Sequence, residues 1–202
     1  MNLDVWPIFV PAAFALNMFP GPNNVLAMSN AARHGFSTAV LASAGRFPPF
    51  ATFVLGAAIG LGAVLATSAE LFGALKIVGA LYLVWLGVQM IRAEPADAPE
   101  VRSGGALSTL IAREFWTAAT NPKAMLVFTA FFAPFLDPAR PAFGQILALG
   151  AVALMLELVA VAIYAFAGAR IGRLSRSTKA LVWIDRVSGG ALIAAGIALL
   201  FA

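Results

Sequence analysis

Hydrophobic residues run along this chain in blocks far longer than a soluble helix needs, separated by short polar punctuation. Six blocks are long enough to cross ~30 Å of hydrocarbon, which takes ~20 helical residues. They cover 5–32, 38–66, 70–92, 107–135, 142–169 and 182–202. The first, second, fourth and fifth exceed the minimum, so tilted or kinked spans are expected. Two blocks are interrupted near their middles, by Pro20-Gly21-Pro22-Asn23 and by Asn121-Pro122-Lys123. Residues 93–106, rich in Pro, Ala, Gly, Asp and Glu, are the one real linker and divide the chain nearly in half. The pattern predicts an all-α integral membrane protein with a single membrane domain, 1–202. Within it, 1–92 and 107–202 form two three-helix units joined by a cytoplasmic linker, and helices one and four are broken mid-membrane.

Composition agrees with that solvent. Apolar residues make up 61% of the chain, charged residues 11%, and mean hydropathy is +0.91. A soluble domain carries roughly 25% charged residues, so there is too little polar surface here for a water-facing globule. The net charge of +4 does not indicate nucleic-acid binding, because no basic run is interleaved with aromatics. Zero cysteines exclude disulfides, Fe–S clusters and thiolate metal sites. A single histidine, His34, excludes a His-rich metal site, and it reads with Gly35 as a solvated helix end. No cofactor is expected. Met1–Asp4 lacks the basic n-region of a signal peptide, so the first block reads as a retained span.

Positive charge sets an expected orientation. Arg33, then Arg92 and Arg102, then Arg170, Arg173, Arg176 and Lys179 follow spans one, three and five, against essentially Arg140 on the other side. By the positive-inside tendency those loops are cytoplasmic and both termini face outward. Two three-span halves must then insert upside down relative to one another. Lys76-Ile77-Val78-Gly79 opens span three and Arg186-Val187-Ser188-Gly189 opens span six, with Gly87 and Gly196 about two turns on. An inverted repeat accounts for this register; glycine-rich helices that match by chance are the alternative. Small-residue faces such as Gly56–Gly60 could pack within a protomer or between protomers of a homo-oligomer.

Breaking a helix inside a bilayer strands N–H and C=O groups at several kcal/mol each, tolerated only where the backbone lines an enclosed or watery cavity. A matched pair of breaks, one per half, points to a transporter binding site. Proline suits the first helical position, and Asn or Gly can cap it. Asn121 therefore reads as an N-cap before Pro122, and Gly21 as a cap before Pro22, with Asn23 and Asn24 in the first turn. Two helix N-termini then converge near the midplane and favour an anion such as a carboxylate, to which Lys123 adds a full charge. Carbonyls before the breaks, on Phe19, Pro20, Ala119 and Thr120, could hold an ammonium group. Such a site suits a zwitterion. Kinks serving only packing are the alternative.

Two charges lie deep inside blocks, Arg46 in span two and Glu157 in span five. Charges at that depth mark a pathway or a pair. Arg46 lies 30 residues before Lys76 and Glu157 lies 29 before Arg186, so the repeat makes them near-equivalent. An Arg46–Glu157 ion pair is expected, either structural or coupling, with Glu157 the protonatable member because arginine stays charged. Pro48-Pro49 removes two helical donors and frees the carbonyls of Ala44 and Gly45, as a hinge or as a packing kink.

The Pro20-Gly21-Pro22-Asn23 motif, the Gly79-Ala80-Leu81-Tyr82-Leu83 and Leu86-Gly87 pattern, and Asn121-Pro122-Lys123 resemble the LysE/RhtB family of amino-acid exporters. The likeness covers essentially the whole chain. It implies efflux of amino acids or related metabolites from the bacterial cytoplasm, driven by the proton gradient. It also implies that Pro20, Gly21, Pro22, Asn23, Asn121, Pro122 and Lys123 are motif positions, and that Glu157 falls where relatives often have an acid. The chain departs from the pattern at Gly45-Arg46-Phe47-Pro48-Pro49-Phe50, where relatives commonly carry a glycine-rich stretch with an acid.

The expected protein is thus a secondary exporter in the cytoplasmic membrane, with an amino acid or analogue, protons and the lipid bilayer as partners. A passive channel for small polar solutes is the second reading. An enzyme is disfavoured, since the spans hold no nucleophile–histidine–acid, metal-ligand or paired-carboxylate constellation. The absence of a Walker-type loop disfavours direct ATP drive.

Overall fold

The computed structural model describes residues 3–67, 69–92, 106–121, 124 and 131–171, with isolated positions between 186 and 200. Every regular element among the described residues is helical. These are α1 (Trp6–Met18), α2 (Pro22–His34), α3 (Phe36–Ala42), α4 (Phe47–Thr67), α5 (Ala69–Arg92), α6 (Leu107–Ala119) and α7 (Ala142–Ile171). Three 3-10 turns cover Leu3–Val5, Ser43–Arg46 and Ala133–Phe135.

The first hydrophobic block is broken where its prolines fall. Phe19 turns extended after α1, Gly21 is extended at φ −138° and ψ 171°, and Pro22 opens α2. Proline there loses no bond the helix needs, since the first N–H groups have no intrahelical partner. α2 ends at His34, and Gly35 at φ +85° takes the left-handed conformation that lets the chain turn at once into α3. The second block stays helical throughout but tightens to 3-10 over Ser43–Arg46, just before Pro48 and Pro49 at the start of α4. Both prolines thus sit in a first turn, where a missing donor costs least. In the fourth block α6 ends at Ala119, Thr120 and Asn121 are non-helical, Ala124 is helical again, and Phe131–Phe135 is a bend followed by a 3-10 turn. The sixth block lies largely outside the described residues, as do 93–105 and the side chain of Lys76, and with them most of the register of the expected repeat.

α7 is the central post, packing against α1, α2, α3 and α4. Close approach depends on glycine at three crossings. A Cβ on Gly168 would strike the Met28 carbonyl of α2, one on Gly150 would strike Val54 of α4, and one on Gly45 would strike the Ile111 carbonyl of α6. Small residues at helix contacts are what membrane bundles use for attraction, because lipid supplies no hydrophobic drive between helices. At one end, Phe9 of α1 packs with Phe131 and Phe135 at ring-centroid distances of 5.3 and 5.1 Å.

The polarity is inverted relative to a soluble protein. Leu41, Leu55, Ile59, Trp85, Trp116, Met155, Leu158 and Phe166 are exposed, while Arg46, Glu114 and Glu157 are buried. The rods Phe36–Gly60 and Ala142–Arg170 are each long and apolar enough to cross a bilayer. Gly56 and Gly60 face outward with no described atom within 4 Å of an added Cβ, so they pack against none of the other described residues.

Gly45→Ala should therefore destabilise the protein by about 1–3 kcal/mol through overpacking against backbone. Gly56→Ala, with open space around it, should not lower the melting temperature. Thermal unfolding of the two variants in detergent checks the contrast.

Candidate functional site

The break between α1 and α2 strands carbonyls, and side chains from two elements, α7 and α2, satisfy those of Met18, Asn17 and Phe19. Tyr164 of α7 donates its hydroxyl to the Met18 carbonyl at 2.7 Å. Asn24, in the first turn of α2, donates through Nδ2 to the carbonyls of Asn17 (2.7 Å) and Phe19 (3.1 Å). Asn17 in turn donates to the Ala153 carbonyl of α7 at 2.8 Å. Buried backbone polar groups must be paired, and here the pairing also fixes the angle of the break against α7. The Phe19 carbonyl, one of those read as acceptors for an ammonium group, accepts from Asn24 and belongs to a residue of the cavity wall described below.

Beside the break lies a fully buried guanidinium. Gly45 lets the 3-10 turn press against the α6 backbone at Ile111, and one turn further along α6 stands Glu114. Arg46 donates to Glu114 Oε2 from Nε at 3.1 Å and from Nη2 at 2.8 Å. Its Nη1 donates to Glu157 Oε1 of α7 at 2.7 Å and to Asn24 Oδ1 at 3.2 Å, and Nη2 also donates to the Asn23 carbonyl at 2.7 Å. A guanidinium has five N–H donors, and all five are used. Asn23 Nδ2 reaches both the backbone carbonyl and Oε2 of Glu114 at 3.2 Å. The second oxygen of Glu114, Oε1, is buried with no hydrogen-bond partner among the described residues.

A cavity of about 60 Å³ adjoins this cluster. Leu16, Asn17, Phe50, Phe131 and Ala153 line it together with Gly21, Asn23, Asn24, Asn121 and Glu157. Five predicted site residues thus meet at one cavity. Pro20 and Pro22 are not among its lining, and Pro22 is exposed; they shape the break rather than the wall. Arg46, at zero exposure, lies behind the lining. Asn121 accepts a long contact from the Ala124 N–H at 3.4 Å, the geometry of an N-cap, and its Nδ2 lies 3.5 Å from Asn23 Oδ1. Pro122 and Lys123 lie outside the described residues.

Lys123, the full charge of the expected anion site, lies outside the described wall. The wall's one ionisable side chain among the described residues is the acid Glu157, surrounded by amides and aromatic or aliphatic groups. Two site residues escaped the sequence reading. Glu114 sits beside Arg113 near the start of its block and reads there as an ordinary interfacial charge. Its helical phase was the available signal, because Leu110, Glu114 and Ala118 form the buried stripe of α6. Asn17 carried no motif at all.

A family model described as LysE type translocator matches residues 14–202. The homoserine/homoserine lactone efflux protein of Salmonella typhimurium is 28% identical over 97% of this chain and 96% of its own length. The leucine efflux protein of an Enterobacter species is 31% identical over 89% of this chain and 86% of its own. An uncharacterized membrane protein of Vibrio cholerae is 29% identical over 98% of both. No solved structure matches the chain.

Arg46→Lys should not substitute, because three rotatable donors on a point charge cannot fill five acceptor contacts set by a rigid fork. Leaving buried acids without their partner costs about 3–5 kcal/mol, so the variant's thermal midpoint in detergent should drop sharply. A midpoint equal to that of the wild type would contradict the assignment.

Proposed function

The chain belongs to the LysE type translocator family, and on that premise we propose that it exports an amino acid or amino-acid derivative from the bacterial cytoplasm. It is a multi-pass membrane protein and a transporter rather than an enzyme. The observation that carries the reading is the cavity at the α1–α2 break, where a buried acid and four asparagines converge inside an otherwise apolar body.

The chemistry of that wall fits a zwitterion. Glu157 offers a full negative charge to an ammonium group. Asn121 and Asn23 offer amide donors to a carboxylate, with Lys123 next in sequence to Asn121 and Pro122. Leu16, Phe50 and Phe131 provide an apolar wall for a small side chain. Relatives named for homoserine, homoserine lactone and leucine efflux all handle compounds with one amino group, on a small polar or aliphatic frame.

Transport by alternating access between two inverted halves, in exchange for protons, completes the proposal. The loops rich in Lys and Arg are then cytoplasmic and both termini are outside, in the bacterial inner membrane. The exposed Gly56–Gly60 face supports packing between protomers. A passive channel fits less well, because the described buried charges gather in one ion-paired cluster around Arg46.

Proteoliposomes loaded with unlabelled leucine or homoserine should take up the labelled amino acid by saturable counterflow, faster under an imposed pH gradient. Glu157→Gln should cut counterflow by about tenfold or more and abolish the response to the gradient. Unsaturable, gradient-insensitive flux would overturn the exporter reading in favour of a channel.

A further inference from the structure

Among the described residues, three buried side-chain polar atoms have no hydrogen-bond partner: Nδ2 and Oδ1 of Asn30 and Oε1 of Glu114. They belong to α2 and α6, which pack against each other, and neither residue lines the cavity at the break. Asn30 is the costlier case. Its side chain is fully buried and both ends of its amide are unpaired. A buried amide without partners weakens the arrangement that holds it, and an apolar residue of similar size would avoid that cost. Asparagine is also a poor helix former away from a cap. Nothing local to α2 therefore favours it here, and a second arrangement in which the amide is paired does.

The unpaired atoms share a seam. Asn23 Nδ2 reaches the backbone carbonyl and Oε2 of Glu114 at 3.2 Å, which fixes the face of α2 turned toward α6. Asn30 lies two turns further on, about 10 Å along the axis and within about 20° of that face. The same face ends at His34, beside Arg33. Another face of α2 is fastened to α7. Gly168 lets α7 close on the Met28 carbonyl, and Ala31 and Ala165 share a buried cluster with Ala39 of α3. α2 and α7 thus hold together by close approach of small residues. Across the seam with α6, the hydrogen bonds among the described residues join Asn23 to Glu114, and the amide farther along is left unpaired. The seam is pinned at the ion cluster and unsatisfied beyond it.

We propose that Asn30 lines the transport path on the far side of the ion cluster: the seam between α2 and α6 opens toward the end bearing Arg33 and His34, and the Asn30 amide then pairs with water and with the polar groups of the passing amino acid. The described arrangement has this seam shut, at the cost of an unpaired amide. That cost narrows the gap between the shut and open states, which a transporter must cross in every cycle. The seam also joins an element of the first half of the chain to one of the second, where relative motion of two halves would part them. The proposal rests on the alternating-access reading, whose orientation makes the opened side cytoplasmic. Asn30 belongs to neither broken-helix motif, so it extends the path beyond the cavity at the break.

The chain has no cysteine, so Asn30→Cys carries a single thiol. In membrane vesicles turned cytoplasmic face outward, a membrane-impermeant maleimide should label that thiol, and faster once leucine is added. Ala12→Cys, equally buried on α1, should stay unlabelled from that face. Asn30→Leu and Asn30→Ala remove the unpaired amide from the shut state and the polar lining from the open one. At least one of them should raise the thermal midpoint in detergent, and both should lower labelled leucine counterflow in proteoliposomes by about tenfold. An amide that serves only the packing of the shut state predicts lower midpoints in both. No label on Asn30→Cys, equal labelling of the two thiols, a midpoint raised in neither apolar variant, or wild-type counterflow in both would each overturn the proposal. If the wild type moves neither leucine nor homoserine, the exporter reading fails, and labelling without leucine and the two midpoints still decide the place of Asn30.

Discussion

A guanidinium cannot shed its proton to escape a low-dielectric interior, so Arg46 must be fully paired where it stands. Four separate parts of the chain are committed to that task. The 3-10 turn places the side chain, α6 supplies Glu114, α7 supplies Glu157, and the start of α2 supplies Asn23 and Asn24. Each of these elements is also fixed by something else. Gly45 meets the α6 backbone, Gly168 lets α7 meet α2, and Asn24 holds the carbonyls of the broken α1. The helix break and the ion cluster are therefore one construction: Asn24 closes the stranded backbone with its nitrogen and accepts from Arg46 with its oxygen.

This coupling gives the site its character. A break in a membrane helix normally leaves donors and acceptors for a ligand to fill. Here the protein satisfies the carbonyls itself, through Asn24 and Tyr164. The described cavity wall holds an acid, Glu157, paired with Arg46, and amides beside it.

The sequence made the membrane blocks, the first break and the two deepest charges legible for simple physical reasons. Prolines and charges stand out against long apolar runs, because each is expensive in hydrocarbon and so seldom occurs without cause. Pro22 opening α2 and Gly35 ending it follow from local backbone rules alone. Glu114 was not legible in the same way. Lying next to Arg113 and a few residues inside its block, it resembles the charged fringe of any span, and only the helical phase turns it inward. The contacts of Tyr164 with Met18 and of Asn17 with Ala153 join residues more than a hundred positions apart. No spacing rule in one sequence encodes such pairings.

The central claim is that the cavity at the α1–α2 break, with Glu157 in its wall, binds the amino acid that the protein exports. Binding of labelled leucine to the purified protein in detergent tests it most directly. The account predicts saturable binding that Glu157→Gln weakens and that 4-methylpentanoate, the same skeleton without its amino group, does not displace. Leucine binding unchanged in Glu157→Gln would contradict it.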